Sequence, residues 1–335
     1  MNTQKIKGTH IVASPLVLGT DYYGKTISED TAYELMETFC ENGGNIIDTA
    51  HVYSDYLPGE KHMSEKVIGR WLLKSGKQKD LGKNIFIATK GGFPVVGDMH
   101  ASRISYKEIK SDLEESLECL QLDSVDLYWL HRDNTNIPAK EIVAWMDEFV
   151  KSGKIKSYGF SNWSASRMKE ALEASHKNSY IAPAASQIRW SLASTEKEKR
   201  EDDTLVEMDP EEYTFYDEND LSVFAFSSQA KGFFAKIKKD GQDYLKPEGK
   251  AGSRYFNQKN ITIYERLLTL CSKYGVSKMQ ASLAWLTYAK FPVFPIIGCK
   301  SSEQLKDSMK ALRLCKTGDI KIEEFANQND FTEGI

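Results

Sequence analysis

Three short apolar runs each end in a residue able to hold or move a proton: Asp48 closes NIID, Lys90 closes IFIATK and His131 closes DLYWLH. Tyr53 follows a few residues after Asp48. Taken singly, a strand-end Asp or Lys is usually a solvated or ion-paired residue, so the argument rests on the combination. Together the four suit the reduction of a carbonyl, in which hydride reaches carbon while oxygen gains a proton. A phenol with an ordinary pKa near ~10 holds its proton too tightly for that task. A nearby ammonium favours the phenolate, and a carboxylate paired with the ammonium holds it in place and offsets part of its burial cost. Lys90 and Asp48 fill those roles, Tyr53 is the acid, and a neutral imidazole at His131 orients the carbonyl oxygen and spreads the charge that develops there.

These residues meet only if the strands that carry them lie side by side. Eight runs read as strands: Leu16–Gly19, Asn45–Asp48, Ile85–Thr89, Val125–Leu130, Ile155–Phe160, Ala184–Gln187, Leu221–Phe226 and Val293–Ile297. Between them lie amphipathic stretches. In Tyr106–Leu120 the residues Ile109, Leu113, Leu117 and Leu120 share one helical face, and Ser105 with Glu108 forms a capping box. Strands alternating with helices, with no Pro-, Gly- or Ser-rich linker, predict an α/β fold: one (β/α)8 TIM barrel domain over residues 1–335, with long loops at its C-terminal face. The acidic stretch Thr195–Asp220 reads as a solvated excursion carrying a helix over Leu205–Tyr216, and Ala230–Asn260 as a second excursion bordering the mouth.

Composition narrows the class further. The 335 residues carry 44 basic and 48 acidic side chains, a formal charge of -4, which gives no overall field for nucleic acid or an anionic membrane. Five cysteines without a CxxC pair fit reduced thiols, and hence the cytoplasm. Six histidines without HExxH or His-x-His spacing give no expectation of a metal. No apolar run reaches the length of a signal peptide core or a membrane span.

The order and separations of DxxxxY (Asp48–Tyr53), Lys90 in ATKGG and His131 in DLYWLHRD resemble the signature of the aldo-keto reductase family. GFSN (Gly159–Asn162), ASQIRW with Gln187, VFAFSSQAKGFF (Val223–Phe234) and PIIGCKSSEQL (Pro295–Leu305) are similar to further family segments, so the resemblance runs from about Leu16 to Leu312. It implies an oxidoreductase that reduces an aldehyde or ketone, or oxidises the matching alcohol, with NADP(H) favoured over NAD(H). It also implies where the cofactor lies. Gly19, Thr20 and Asp21 border the nicotinamide and its ribose; Ser161, Asn162 and Gln187 hold the carboxamide; Phe226 stacks on the ring; Ser227, Gln229 and Lys231 grip the pyrophosphate. Around Gly298, Lys300 offers a charge to a 2′-phosphate, and Ser301 with Gln304 caps a helix whose N-terminus favours anions. Gln304 stands where many members have arginine, and Ser308 where asparagine commonly meets adenine. An alternative implied by the family is a nicotinamide-sensing subunit of a channel or another protein, with little turnover.

Two look-alikes are set aside. His131-Arg132-Asp133 imitates a kinase catalytic loop, but Pro138 stands where that loop needs Asn. His51, between Asp48 and Tyr53, reads as a packing or loop residue. Tyr22, Tyr23, Trp163 and Trp190 are candidates for an aromatic pocket rim, with helix–barrel packing the alternative for Trp190.

Overall fold

A computed structural model of the chain describes residues 3–196, 202–240, 243–323 and 325. The apolar runs are too short for helices, and each becomes a buried parallel strand: Val17–Gly19, Ile46–Asp48, Phe86–Gly91, Leu127–Leu130, Tyr158–Ser161, Ala185–Arg189, Ser222–Phe226 and Val293–Ile297. With Gln4–Lys5 and Val12–Ala13 as β1 and β2, these are β3 to β9 and, after two short strands Lys238–Asp240 (β10) and Asp243–Leu245 (β11), β12. The eight close into a barrel in the order β12-β3-β4-β5-β6-β7-β8-β9, which is the fold expected from the sequence. Strand starts differ: Val125 and Ile155 pair with each other in an isolated bridge, and the continuous ladders begin only at Leu127 and Tyr158.

Strand parity decides which side chains face the lumen. Val17, Ile46, Phe86, Ala88, Leu127, Trp129, Ala185, Phe224 and Phe294 form an inner cluster, closed below by Ile6, Ile11 and Ala13 of the β1–β2 hairpin segment. Their neighbours Leu18, Ile47, Ile87, Tyr128, Ile188 and Val223 pack outward with the helices. Trp129 occupies so much of the lumen that a Cβ on Gly159 would lie 2.5 Å from its ring, so β7 takes glycine there. One pleat above this layer, the same parity aims Asp48, Lys90, Ser161 and Gln187 at the mouth; Asp48 is registered beside Gly19 and Ala88.

The helices follow their sequence signals. Tyr106–Leu120 (α3) forms as expected, its Ile109, Leu113, Leu117 and Leu120 buried. Ser105 Oγ accepts from the Glu108 N–H at 3.2 Å, while the Glu108 carboxylate takes the Ser105 hydroxyl rather than its backbone N–H. The expected helix Leu205–Tyr216 is instead Pro210–Asn219 (α6), because Asp209 caps it and Pro210 fixes its first turn. Residues before Asp209 are held extended against β8: Arg189 N–H donates to the Val206 carbonyl, and Met208 N–H to the Arg189 carbonyl. Where it is described, this segment is solvated only in part, with Asp203, Glu211, Glu218 and Asp220 exposed. Asp202 and Glu207 pair with Arg132 and Arg189, although part of the segment, residues 197–201, lies outside the described residues. The second excursion carries Phe233–Lys236, the β10–β11 pair and Gly249–Tyr255, with residues 241–242 outside the described set. No described helix is long and apolar enough to cross a membrane, and the five cysteines are free thiols.

Met63–Ser75 (α2) packs on β5 through an unusual contact. Its Glu65 is fully buried and accepts from Thr89 Oγ1 at 2.5 Å. Burial pushes the Glu65 carboxyl up to about 7, against the hydrogen bonds from Thr89 and Ser116. A carboxyl raised in the folded state stays protonated there while the unfolded chain ionises, so its contribution is present below pH ~4.5 and is lost as pH rises toward 7. Glu65→Gln should therefore remove about 3 kcal/mol of stability difference between pH 5 and pH 8. Urea unfolding of both proteins at the two pH values checks this; an unchanged pH slope in the variant would show that Glu65 ionises normally.

Candidate active site

At the mouth, Lys90 Nζ donates to Asp48 Oδ2 at 2.5 Å, to the Thr49 carbonyl at 2.7 Å and to Tyr53 Oη at 2.9 Å. Three acceptors at hydrogen-bonding distance match the three N–H bonds of an ammonium and exceed those of a neutral amine. Lys90 and Asp48 are both about 1% exposed. Burial works against both charges, pushing the ammonium below and the carboxyl above their ordinary values, and the short contact between them opposes both shifts. Gln187 Nε2 donates to Asp48 Oδ1 at 3.0 Å, so each carboxylate oxygen has a partner.

The Tyr53 loop is fixed from below. Thr20 N–H and Oγ1 both donate to the Asp48 carbonyl, and Thr20, Thr49 and Ser64 form a buried hydroxyl cluster with contacts of 2.9 Å. Thr49 N–H donates to the Ala88 carbonyl and His51 N–H to the Lys90 carbonyl, extending the β4–β5 pairing into the loop. Ser54, at φ +73°, donates to the carbonyls of Asp21 and Tyr23.

The expectation that Lys90 makes Tyr53 more acidic is not met on balance. Burial pushes the phenol well above its ordinary value, Asp48 and Asp21 add to that, and Arg132 pulls the other way. Tyr53 is accordingly held in its protonated form. Because Oη accepts from Lys90, its own hydrogen is free to point elsewhere. His131 lies edge-on to Tyr53 with ring centroids 6.1 Å apart, and its Nδ1 is buried with no hydrogen-bond partner among the described residues. Burial, then Arg132 and Lys90, hold its imidazole well below the ordinary value, so it is neutral as expected.

The residues expected at a cofactor fall in two groups. Around the lumen, Gly19 abuts Ile296, Ser161 ends β7 and Phe226 ends β9, half-buried, with the Arg189 guanidinium 5.9 Å from its ring centre. Burial raises the Asp21 carboxyl to about 6, against the pull of Lys231 and Lys90. Asn162, at φ +59°, donates to the His131 carbonyl and accepts from Val206 N–H. Gln187 donates one amide N–H to Asp48, which leaves its amide oxygen free of that contact. At the rim, Gln229 accepts from Gly298 N–H and donates to Ser308, bringing the loop of Ser227 (φ +55°) and Lys231 against Ser302–Met309 (α11). Ser301 caps α11, but Gln304 takes the Lys300 N–H, one residue earlier than a full capping box would use. Ser308 is buried, its hydroxyl turned to Gln229. A Cβ on the exposed Gly298 would meet nothing within 4 Å, leaving open space beside Lys300.

Several residues at the mouth escaped the sequence reading. Arg132 bonds Thr204 and Asp202 and stacks over Phe93, while Arg189 binds Glu207 at 2.6 Å. The only signal was Arg132 inside a discarded kinase-like triplet, whose Asp133 proves to hold Arg167. The aromatic rim also needs correction: Trp163 stacks on Phe160, Trp190 packs against Tyr213 and Trp285, and Tyr23 is buried. Of the four, Tyr22 alone is exposed, edge-on to Tyr56.

Comparison with known proteins points in one direction. The aldo/keto reductase family profile matches residues 15–327. The chain is 28% identical over 321 residues to the protein named uncharacterized oxidoreductase YrpG of Bacillus subtilis, covering 93% of this chain and 91% of the relative. It is 27% identical to the aldo-keto reductase yakc [NADP(+)] of Schizosaccharomyces pombe, over 81% of this chain and 76% of that one. It is 25% identical to norsolorinic acid reductase stcV of Emericella nidulans, over 97% and 80%.

The buried ion pair makes a sharp statement about stability. Asp48→Asn strands the Lys90 ammonium and should cost about 3–5 kcal/mol, whereas Asp48→Leu combined with Lys90→Met should cost far less. Denaturant midpoints decide it; a single variant as stable as the parent would mean that the pair is not ionised.

Proposed function

The chain belongs to the aldo/keto reductase family, and from that premise we propose that it is an NADP(H)-dependent reductase of aldehydes or ketones, with Tyr53 as the proton donor. The observation that carries this reading is the 2.9 Å contact from Lys90 Nζ to Tyr53 Oη, made by an ammonium also held on Asp48 and Thr49.

When bound, the reduced nicotinamide supplies hydride to the carbonyl carbon. The chain's own groups then act on the oxygen. Tyr53 turns its free hydrogen toward it, and neutral His131 is the second candidate to hydrogen-bond it and fix its direction. As the carbon gains hydride, the Tyr53 proton passes to the oxygen and the alcohol forms. Lys90 stabilises the phenolate left behind until Oη is reprotonated, and Asp48 keeps the ammonium in place. Alcohol oxidation runs through the same contacts in reverse.

Gly19, Thr20, Asp21, Ser161, Asn162, Gln187 and Phe226 would hold the nicotinamide end, and Ser227, Gln229, Lys231, Gly298, Lys300, Ser301, Gln304 and Ser308 the phosphate and adenine end. The open surface at Gly298, with a lysine amine and a helix N-terminus beside it, fits an anionic group. The Lys300 ammonium suits the additional 2′-phosphate of NADP(H), and one of the relatives carries NADP(+) in its name.

Replacing Tyr53 by Phe should cut turnover by at least about a hundredfold while NADPH affinity, read by fluorescence, changes by no more than about threefold. Turnover within tenfold of the parent would assign the proton to another group.

A further inference from the structure

Just behind the Tyr53 loop, three side chains remote in sequence bring ligand atoms within 4.8 Å of one another: His51, His62 and Glu115. We infer that they form a divalent-metal site of zinc character, which ties the catalytic loop to α2 and α3. None of the three takes part in the proton transfer above.

The arrangement of the three side chains leaves a place for a cation. His62 Nδ1 lies 2.7 Å from the His51 carbonyl, which can only accept, and 3.3 Å from Asp55 Oδ2, so Nδ1 carries a hydrogen and Nε2 is the atom turned to the cluster. Nε2 faces Glu115 Oε2 at 3.6 Å, longer than a hydrogen bond. His51 Nε2 approaches the same oxygen at 2.8 Å, and its Nδ1 points at Asp112 Oδ1, 3.8 Å away. The two imidazoles lie nearly face to face, centroids 4.0 Å apart at 30°.

His62 thus has an outer partner of the kind metal-bound histidines use, a backbone carbonyl, and the Asp112 carboxylate stands 3.8 Å from His51 Nδ1. These partners are themselves held: Asp112 by Arg103 at 2.7 Å and by Gly92 N–H at 2.8 Å, and the His62 backbone by Asp55 at 2.7 Å. His62 sits at the N-cap of α2 with φ +58°, yet its side chain makes no capping bond and is turned into the cluster.

Tetrahedral zinc with nitrogen and carboxylate ligands at about 2.0–2.2 Å sets neighbouring ligand atoms about 3.3–3.6 Å apart. The two separations to Glu115, 2.8 and 3.6 Å, straddle that value, and Glu115 is about half exposed. Two imidazoles and one carboxylate favour a borderline transition ion over calcium or magnesium, and leave a fourth position for water. The His51 N–H donates to the Lys90 carbonyl, so an ion here would brace the segment from Asp48 to Tyr53.

The test uses the full chain stripped with a chelator and titrated with zinc chloride by calorimetry. One saturable equivalent is expected, weakening at least tenfold from pH 7.5 to 5.5 as the imidazoles take up protons. His62→Gln and Glu115→Gln, both at partly exposed positions, should each weaken binding at least tenfold and abolish the zinc-induced rise in melting temperature. On the unaltered chain, cobalt(II) should give the intense visible bands of a tetrahedral site. Absence of saturable binding, equal affinity in both variants, or only the weak bands of octahedral cobalt would overturn the assignment.

Discussion

An ammonium buried at the bottom of a barrel mouth must be paired on every side, and that requirement organises this molecule. Lys90 satisfies it with Asp48, the Thr49 carbonyl and the Tyr53 oxygen. Three of its acceptors therefore come from one strand end and the turn that follows it. The turn cannot relax without leaving a charge unpaired, a penalty of several kcal/mol. Gln187 on the far side of the lumen and the hydroxyls of Thr20, Thr49 and Ser64 beneath the turn hold its members in register. Catalytic geometry and stability rest on the same contacts.

Burial sets the electrostatics of the mouth. It holds the Tyr53 phenol protonated and, with Arg132 and Lys90, the nearby His131 neutral, so the mouth offers two hydrogen-bonding groups that carry no charge of their own. Around this centre the protein adds guanidinium groups. Arg132 and Arg189 are both largely buried and each is met by an acidic residue of the segment after β8, which is thereby drawn over the mouth. An acidic run that looks solvated in the sequence supplies, in Asp202 and Glu207, counterions for two arginines.

How much of this could be read in advance follows from the range of the forces involved. The eight strands were legible because β-branched and aromatic runs of that length have one stable placement between helices. Asp48, Lys90 and His131 were legible because each directly ends such a run, where barrel geometry converges. The starts of the ladders were less so: Val125 and Ile155 are as buried as strand residues, but only one bridge joins them. Pro210 marked the true beginning of α6, a local signal outweighed by the apolar residues Leu205 and Val206 ahead of it, which belong to the edge of β8. Pairings such as Arg132 with Asp202, or Gln187 with Asp48, join residues whose separation along the chain leaves no local trace. His51, expected to be a packing or loop residue, does pack, yet its partners His62 and Glu115 come from two other helices and no spacing rule unites them.

The central claim is that the Lys90–Tyr53 contact governs proton donation, and single-turnover kinetics of Lys90→Met test it most directly. With NADPH prebound and a reactive aldehyde added, hydride transfer should slow by at least about a hundredfold while the NADPH dissociation constant stays within a few-fold of the parent. A transfer rate within tenfold of the parent, at equal cofactor affinity, would contradict the account.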